Sequence, residues 1–237
     1  MKKLLSLLFV GVACAGQRPP PGPPPTPEAL FRELQAADRL ATEADIEWFG
    51  EDRARFRGIL VVERPNRFRI EVLSPFEEPL EVVVSDGQTL WRLTPDRFRT
   101  GPATPERVAE VLPVPLSPED LVALILGGAP GEGWRIEAVE PSRDPRAWRA
   151  RMRNGPHIVD VWVAEDGRRI LRIRFLDADV DARFSDFEAA HPRGMKVRSE
   201  RGRLRIRLRD PSFGGAPTPE LFRLSPPPGV VPESLDG

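Results

Sequence analysis

The stretch that decides the fold runs from Arg55 to Leu93 and reads RFRGILVVERPNRFRIEVLSPFEEPLEVVVSDGQTLWRL. Apolar and polar residues alternate along it, so that Phe68, Ile70 and Val72 share one face while charged residues occupy the other. Turn sequences such as Arg64-Pro65-Asn66 separate the alternating segments and are short enough for hairpins. The stretch therefore predicts consecutive antiparallel strands, each with one apolar face.

The alternation continues on both sides of this stretch. Upstream, Ala44, Ile46 and Trp48 form an apolar strand face, and a brief strand is expected around Phe98. Further strands are predicted at 134–139, 147–153, 158–164, 170–176, 180–189 and 195–209, the last with a turn at Arg201-Gly202, and a short one in the tail sequence ELFRL. The fold class is therefore mainly β with some helix (α+β): a curved antiparallel sheet of about 11 strands forming an unclosed barrel.

Helical spacing appears in three places. Pro27 to Ala37 is predicted as an N-terminal amphipathic helix. Thr104-Pro105-Glu106 and Ser117-Pro118-Glu119 each begin a helix with proline at the first position, and these helices end at Pro113 and at Gly127-Gly128. The second is apolar nearly all round, so we expect the pair to be an inserted lid that lies against the sheet.

Composition excludes several classes of protein. The net charge is −1 with 35 basic and 36 acidic residues, which does not indicate nucleic-acid binding. All basic residues but Lys2, Lys3 and Lys196 are arginines. With Cys14 the only cysteine, disulfides and thiolate metal sites are excluded. Stability must come from a core, and about 210 residues are enough for one domain.

The segment 1–13 resembles a bacterial lipoprotein signal peptide, with Lys2 and Lys3 before an apolar segment too short to span a bilayer. The resemblance implies cleavage before Cys14 and acylation of that cysteine. Cleavage after Ala15 by the ordinary signal peptidase is the alternative and would leave a secreted, unanchored protein. Residues 14–27 form a proline-rich tether, expected as an extended polyproline rod, although filler without a selected length is equally consistent with this composition.

The stretch 55–93, the N-terminal helix and the helix pair TPERVAEVL and SPEDLVALILGG together resemble the LolA/LolB-like lipoprotein-carrier superfamily, nearest its anchored, LolB-like members. The resemblance covers a domain at 28–224, followed by a proline-rich tail at 225–237. It implies that the half-barrel and its lid hold acyl chains of lipoproteins or phospholipids. A soluble periplasmic carrier is a further partner that it implies.

The predicted site follows from the apolar strand and lid faces together with the resemblance. For any single position the pattern favours ordinary core packing. The cavity is predicted from the set as a whole, because a strongly apolar helix pair is placed against a long, curved sheet. Phe76, in the loop Ser74 to Pro79, is the candidate membrane contact, and packing of Phe76 back onto the sheet is the alternative. The predicted acyl-chain cavity comprises Ile46, Trp48, Leu60, Val62, Phe68, Ile70, Val72, Leu90, Val111, Leu112, Leu121, Leu124 and Ile125.

Catalytic and metal chemistry find little support in the sequence. His157 and His191 are the only histidines, and neither has a cysteine partner or metalloprotease spacing. His157 is expected at a strand start and His191 in a loop. The aspartates of LDADVDARF lack the glycine and distal glutamate of a calcium loop. We therefore expect no enzyme activity, no cofactor and no metal.

The sequence supports two interpretations of function. The first is a monomeric, lipid-anchored protein of the outer membrane that faces the periplasm and receives or inserts acylated cargo. Ala15 favours the outer membrane by resemblance, because aspartate at that position marks inner-membrane retention. The second is an anchored sensor or scaffold on the same fold that binds a protein segment instead of transporting lipid.

Overall fold

The computed structural model describes residues 26, 30, 37–130, 133–143, 146–215 and 219–235. The predicted signal peptide, Cys14, nearly all of the tether and most of the N-terminal helix lie outside the described residues. Within the range predicted for that helix, Leu30 and Ala37 are described, and Leu30 is the helical one of the two. Leu30 is buried in the core, and its amide donates a 3.0 Å hydrogen bond to the carbonyl of Thr26.

A single sheet of 14 strands forms the frame of the described part of the chain. Its spatial order is β14-β6-β5-β4-β3-β2-β1-β13-β12-β11-β10-β9-β8-β7. Neighbouring strands are antiparallel except β14 and β6, which are parallel. The strands are β1 (Arg39–Phe49), β2 (Arg53–Glu63), β3 (Arg67–Leu73), β4 (Pro79–Ser85), β5 (Thr89–Leu93), β6 (Phe98–Pro102), β7 (Arg135–Arg143), β8 (Arg146–Asn154), β9 (His157–Val163), β10 (Ile170–Phe175), β11 (Val180–Glu188), β12 (His191–Ser199), β13 (Gly202–Phe213) and β14 (Pro232–Ser234).

The predicted fold class is confirmed, with more strands than the sequence led us to expect. β1 lies at the centre of the sheet, between β2 and β13. Apart from β14, each half of the sheet is a run of hairpins between strands that are consecutive in the chain. The β1–β13 pairing, with Ile46 opposite Ile206 and Trp48 opposite Leu204, joins the two halves. This pairing brings the apolar faces of the first and last long strands to one surface.

In the described part of the chain, two helices lie between β6 and β7: α1 (Pro105–Val111) and α2 (Pro118–Leu126). Both begin as predicted, because the hydroxyls of Thr104 and Ser117 accept hydrogen bonds from amides in the first turn. α2 ends at Gly127, whose φ of 65° is the left-handed conformation that glycine adopts at little cost. Every residue of α2 from Leu121 to Leu126 is buried, and the helix packs against β2 and β3. The sheet thus covers the apolar side chains of α2, as expected for a helix that is apolar nearly all round.

The C-terminal tail differs from the prediction. The expected short strand in ELFRL is instead a 3-10 helix, Pro219–Phe222, which packs against β3 and buries Phe222 completely. A single turn is enough to insert that ring, so no strand pairing is needed. The strand of the tail is β14, and Leu235 directly after it is fully buried against Gly101 of β6.

The loop position predicted for His191 is also wrong. His191 is the first residue of β12 and lies opposite Glu188 of β11. Its ring stacks on Phe213 with the two centroids 4.0 Å apart. The sequence His-Pro suggested a turn, whereas Pro192 is accommodated at the start of the strand, where proline is tolerated.

Candidate functional site: an apolar cavity under the lid

An apolar cavity of about 270 Å³ lies between the concave face of the sheet and the two helices. The sheet side comes from β1 to β4, β12 and β13, and the lid side from α1, α2 and the segment between them. All but one of the lining residues are apolar. They are Ile46, Trp48, Phe56, Leu60, Ile70, Val72, Glu81, Val83, Val111, Leu112, Pro113, Val114, Leu121, Leu124, Ile125, Met195, Val197, Leu204 and Ile206.

Most of the residues that the sequence proposed for the cavity are brought together there. Ile46, Trp48, Leu60, Ile70, Val72, Val111, Leu112, Leu121, Leu124 and Ile125 all line it. Val62, Phe68 and Leu90 do not. They are fully buried in a row across neighbouring strands, where Val62 lies opposite Phe68 and both Phe68 and Leu90 lie opposite Ser85. Their side chains face inward as predicted, but at the end of the sheet near the β2–β3 turn, where the core is filled.

β12 and β13 also contribute to the cavity wall, and their residues were not among those predicted from the sequence. Leu204 and Ile206 alternate with arginines, which is the signal that could have placed them on an inner face. They reach the cavity because β13 pairs with β1, and Met195 and Val197 follow because β12 pairs with β13. The pairing of β13 with β1 joins strands from opposite ends of the domain, so a local sequence pattern does not predict it.

The wall of the cavity is incompletely covered at one end of the sheet. Trp48, Phe56, Val72, Leu112 and Leu204 are only half-buried although they face the interior. The β1–β2 turn, the β3–β4 loop and the β12–β13 turn all lie at this end, as the pairing registers require. Half-exposed apolar side chains on both sheet and lid leave apolar surface open to a ligand.

Trp48 is held at this opening by two close approaches of backbone. A Cβ on Gly202 would lie 2.7 Å from the Trp48 ring, and a Cβ on Gly50 would lie 2.5 Å from it. The indole therefore covers both turns only because these positions are glycine. A side chain at either position would push the ring out of its place at the opening.

The one charged group in the wall is neutralised. Glu81 of β4 accepts a 2.7 Å hydrogen bond from Nε of Arg92 on β5. Both side chains are partly exposed, so the pair lies at the margin of the cavity. The interior surface is left without an uncompensated charge and suits an aliphatic ligand.

The loop between β3 and β4 holds Phe76 in an exposed position. The Ser74 hydroxyl accepts hydrogen bonds from the amides of Phe76 and Glu78, at 3.1 and 3.2 Å. Arg57 forms a 2.7 Å ion pair with Glu77, whose φ of 66° is unusual for a non-glycine residue. Phe76 is 85% exposed and Leu80 is 46% exposed. Phe76 thus does not fold back onto the sheet, and the loop that presents it is fixed by its own hydrogen bonds.

A few polar contacts fasten the lid to the sheet. The Ser199 hydroxyl donates a 2.7 Å hydrogen bond to the carbonyl of Pro113, and Arg201 donates to the carbonyl of Ala109 in α1. At the far end, Nη2 of Arg64 donates to the carbonyl of Ala129 at 3.3 Å. Burial lowers the pKa of Arg64 from its ordinary value.

The cavity is near the small end of the range for ligand pockets, about 300 to 1,000 Å³, so a long chain would enter more readily if the lid moved.

A double variant, Ser199→Ala with Arg201→Ala, is expected to loosen α1. Each lost hydrogen bond is worth about 1 kcal/mol, so the loss of both should accelerate amide exchange in α1 by up to about thirtyfold. Hydrogen–deuterium exchange read by mass spectrometry measures this. Arg198→Ala, on the outward face of the same strand, is the matched control and should leave α1 unchanged. Equal protection of α1 in all three proteins would contradict the role given to these contacts.

The titratable groups outside the cavity do not converge on a reaction centre. Nδ1 of His157 lies 3.1 Å from Asp177, in an exposed pair at the start of β9. Nδ1 of His191 is buried and has no hydrogen-bond partner among the described residues, and burial lowers the pKa of this ring from its ordinary value. Within the described ranges, no group of three or more His, Cys, Asp or Glu side chains is placed to hold a metal ion. Nor does any helix among the described residues have the length and apolar character needed to cross a bilayer.

Comparison with known proteins agrees with this architecture. The family model described as outer membrane lipoprotein carrier protein LolA matches residues 50–100. An outer-membrane lipoprotein carrier protein of Psychromonas ingrahamii is 51% identical over 39 residues, which are 16% of this chain. The matched segment spans only 18% of the length of that relative.

Solved structures share the fold over most of the chain. A LolA superfamily protein from Nitrosomonas europaea superposes with a TM-score of 0.60 at 12% identity, covering 84% of this chain and 98% of its own. A DUF1329 family protein from Desulfovibrio piger gives a TM-score of 0.59 at 13% identity, covering 83% and 95%. These similarities establish the fold.

The fold and the cavity define a class: an unclosed antiparallel half-barrel with a helical lid over an apolar cavity. The resemblance to the LolA/LolB-like lipoprotein-carrier superfamily, predicted from the sequence, is confirmed by the family-model match and by the shared fold.

Proposed function

We propose that this protein binds acyl chains of lipoproteins or phospholipids in the cavity under the lid and helps to receive and insert them in the outer membrane. The observation that carries the proposal is the cavity itself, whose wall is apolar on both the sheet and the lid side and is half-exposed at one end. The names of the matched relatives, a lipoprotein carrier and a LolA superfamily protein, support the same class of cargo.

The energetics of such binding are adequate without a coupled reaction. Each CH₂ group removed from water contributes about 0.8 kcal/mol, so a chain of about sixteen carbons would gain on the order of 10 kcal/mol before entropy costs. Delivery then runs downhill when the bilayer buries the chain more completely than the cavity does. No nucleotide hydrolysis is required of this domain.

The proposal includes anchoring through an acylated Cys14 in the outer membrane, facing the periplasm, with the tether at 14–27 spanning the distance to the domain. The support is the signal-like N-terminus together with Ala15. A soluble periplasmic carrier as donor and a monomeric state belong to the same proposal.

Native mass spectrometry on the full chain, released gently from membranes, tests cargo binding. Added masses that match phospholipid or acylated peptide are the expected result. A clean protein mass that remains unchanged after lipid or lipopeptide is supplied would remove the carrier function and favour the alternative.

The alternative, an anchored sensor or scaffold that binds a protein segment, has one observation in its favour. A groove of about 1140 Å³ lies outside the lid, between the helices and the β8–β9 and β10–β11 turns. It is larger than the cavity and is lined by both aromatic and acidic groups, among them Trp134, Phe175 and Glu119. A peptide that bound there while the cavity stayed empty would favour this alternative.

Phe76 is proposed to enter the bilayer during delivery. Phe76→Glu is expected to slow the transfer of a fluorescent lipopeptide from the loaded protein to vesicles by about tenfold, because burial of a Phe side chain is worth about 1.5 to 3 kcal/mol. Loading of the cavity should be unaffected, since Phe76 does not line it.

Val231→Glu is the matched control, because Val231 is an equally isolated apolar side chain, 79% exposed, in the C-terminal tail. It should transfer cargo at the rate of the unmodified protein. If Phe76→Glu transferred cargo equally fast, the membrane role of this loop would be excluded.

A further inference from the structure

The outer face of the second half of the sheet carries a concentration of positive charge. Six exposed cations project from three adjacent strands, β11, β12 and β13. Like charges lie directly opposite each other, Lys196 facing Arg205 and Arg198 facing Arg203, an arrangement that destabilises an antiparallel pair. We call this surface the convex basic face; it comprises Arg183, Lys196, Arg198, Arg203, Arg205 and Arg207.

Ion pairs are sparser on this face than beside it. Beside the face, cations and carboxylates pair across strands: Arg209 of β13 with Asp45 of β1 at 2.7 Å, and Arg55 of β2 with Glu47 of β1 at 2.8 Å. Within the convex basic face, Arg183 and Arg205 have carboxylate neighbours, at 3.8 and 3.1 Å.

The other four cations of the face are Lys196, Arg198, Arg203 and Arg207. No carboxylate of the described part of the chain lies within ion-pair distance of any of them. The surface is thus strongly cationic in a protein whose net charge is −1.

The convex basic face continues to the loop that carries Phe76. A depression of about 610 Å³ is lined by five cations of the face and one carboxylate, that of Asp181. A second depression, of about 450 Å³, shares Arg205 and extends through Arg207, past the ion-paired carboxylates of Asp45 and Glu47, to Ser74 and Pro75 of the β3–β4 loop. One continuous surface therefore joins these cations to an exposed aromatic side chain.

We propose that the convex basic face binds the phosphate groups of anionic phospholipids and holds the domain against the bilayer while Phe76 inserts. This inference rests on one part of the proposed function, namely that the protein acts at a membrane surface. Neighbouring strands are about 4.8 Å apart, so the cations form a dense array that can meet several headgroups at once. Anionic membrane surfaces attract such clusters of Lys and Arg.

The neighbouring aromatic group favours a bilayer over an acidic polypeptide as the partner. An acidic segment would need only the cations, whereas a bilayer accepts both the cations, at its phosphates, and Phe76, at its acyl boundary. The carboxylate of Glu77, next to Phe76, would oppose this contact if it were free. It is paired with Arg57 at 2.7 Å, which offsets part of that repulsion, while the exposed Glu78 still opposes the contact.

The test places a fluorescent reporter on this face. Ser185→Cys introduces an exposed labelling site on β11 beside the cations without removing any of them. The full chain carrying this change is labelled with an environment-sensitive fluorophore. It is then reconstituted in vesicles of phosphatidylcholine, with or without phosphatidylglycerol. The chain without the Ser185→Cys change gives the background from Cys14.

We expect a blue shift of emission only in the vesicles that contain phosphatidylglycerol, and its loss at high NaCl concentration. Arg198→Glu with Arg203→Glu should abolish the shift. The matched control, Arg135→Glu with Arg143→Glu on the exposed strand β7 at the edge of the sheet, should retain it.

Three outcomes would overturn the proposal: no shift with anionic vesicles, an equal shift with phosphatidylcholine alone, or a shift that survives Arg198→Glu with Arg203→Glu. A shift produced by polyglutamate but not by vesicles would instead assign the face to an acidic protein. Native mass spectrometry on the same samples separates this result from the proposed function. Loss of bound acyl mass with the shift retained would refute cargo binding alone, and the reverse would refute the membrane face alone.

Discussion

Leu204→Glu is expected to leave the protein folded and to weaken acyl-chain binding by about 100-fold or more. Leu204 is half-buried in the cavity wall, opposite Trp48, so in the empty protein a carboxylate there can remain hydrated. An acyl chain in the cavity would remove that water. The cost of burying an unpaired polar or charged group, several kcal/mol, would then oppose binding.

The measurement is a titration with a fluorescent fatty-acyl probe, with circular dichroism as the check on folding. Leu221→Glu is the matched control, because Leu221 is 37% exposed and lies outside the cavity. It should bind the probe as the unmodified chain does. Undiminished binding by a folded Leu204→Glu protein would show that acyl chains do not occupy this cavity.

The second large effect is on stability. It is measured by comparing two phenylalanines, one in β3 and one in the loop that follows β3. Phe68→Ala is expected to lower the free energy of unfolding by about 3 to 5 kcal/mol, because this ring is fully buried at the filled end of the core. Phe76→Ala removes the same atoms from a side chain that is 85% exposed and should change the free energy of unfolding by less than about 0.5 kcal/mol.

Urea unfolding of the two variants and the unmodified chain measures both values, with the slopes compared to confirm that the same surface is exposed in each. The comparison also tests whether Phe76 is truly unsupported by neighbours. A large loss of stability in Phe76→Ala would mean that the ring packs against the protein and is not available to a membrane.

The alternation of residues was enough to predict which face of each long strand points inward. It was not enough to predict whether an inward residue lies in the filled core or in the cavity wall. Alternation correctly placed Val62 and Ile70 on the inner face, because the period of a strand is local. It did not show that Val62 lies at the filled end of the sheet and Ile70 in the cavity wall, since this depends on where α2 crosses the strands. The two positions have the same local pattern and different surroundings.

The two lid helices were predictable to within about two residues of their ends because capping is also local. Ser117, Pro118 and Gly127 specify where α2 starts and stops through groups within the helix itself. By contrast, β14 depends on a parallel partner, β6, from the first half of the chain, and the sequence Pro-Glu-Ser carries no strand signal of its own. Leu204 and Ile206 were missed as cavity residues for a similar reason, because their position depends on the pairing of β13 with β1.

The placement of β1 between β2 and β13 has a consequence for how the molecule folds. The hairpins from β1 to β6 join strands that are neighbours in the chain and need nothing from its second half. One edge of β1 then stays without a partner until β13, close to the end of the domain, pairs with it. Folds dominated by such distant pairings form slowly, and an unpaired strand edge is prone to aggregation in the meantime. Until β13 pairs with it, the strand at the centre of the finished sheet is therefore an exposed, aggregation-prone edge.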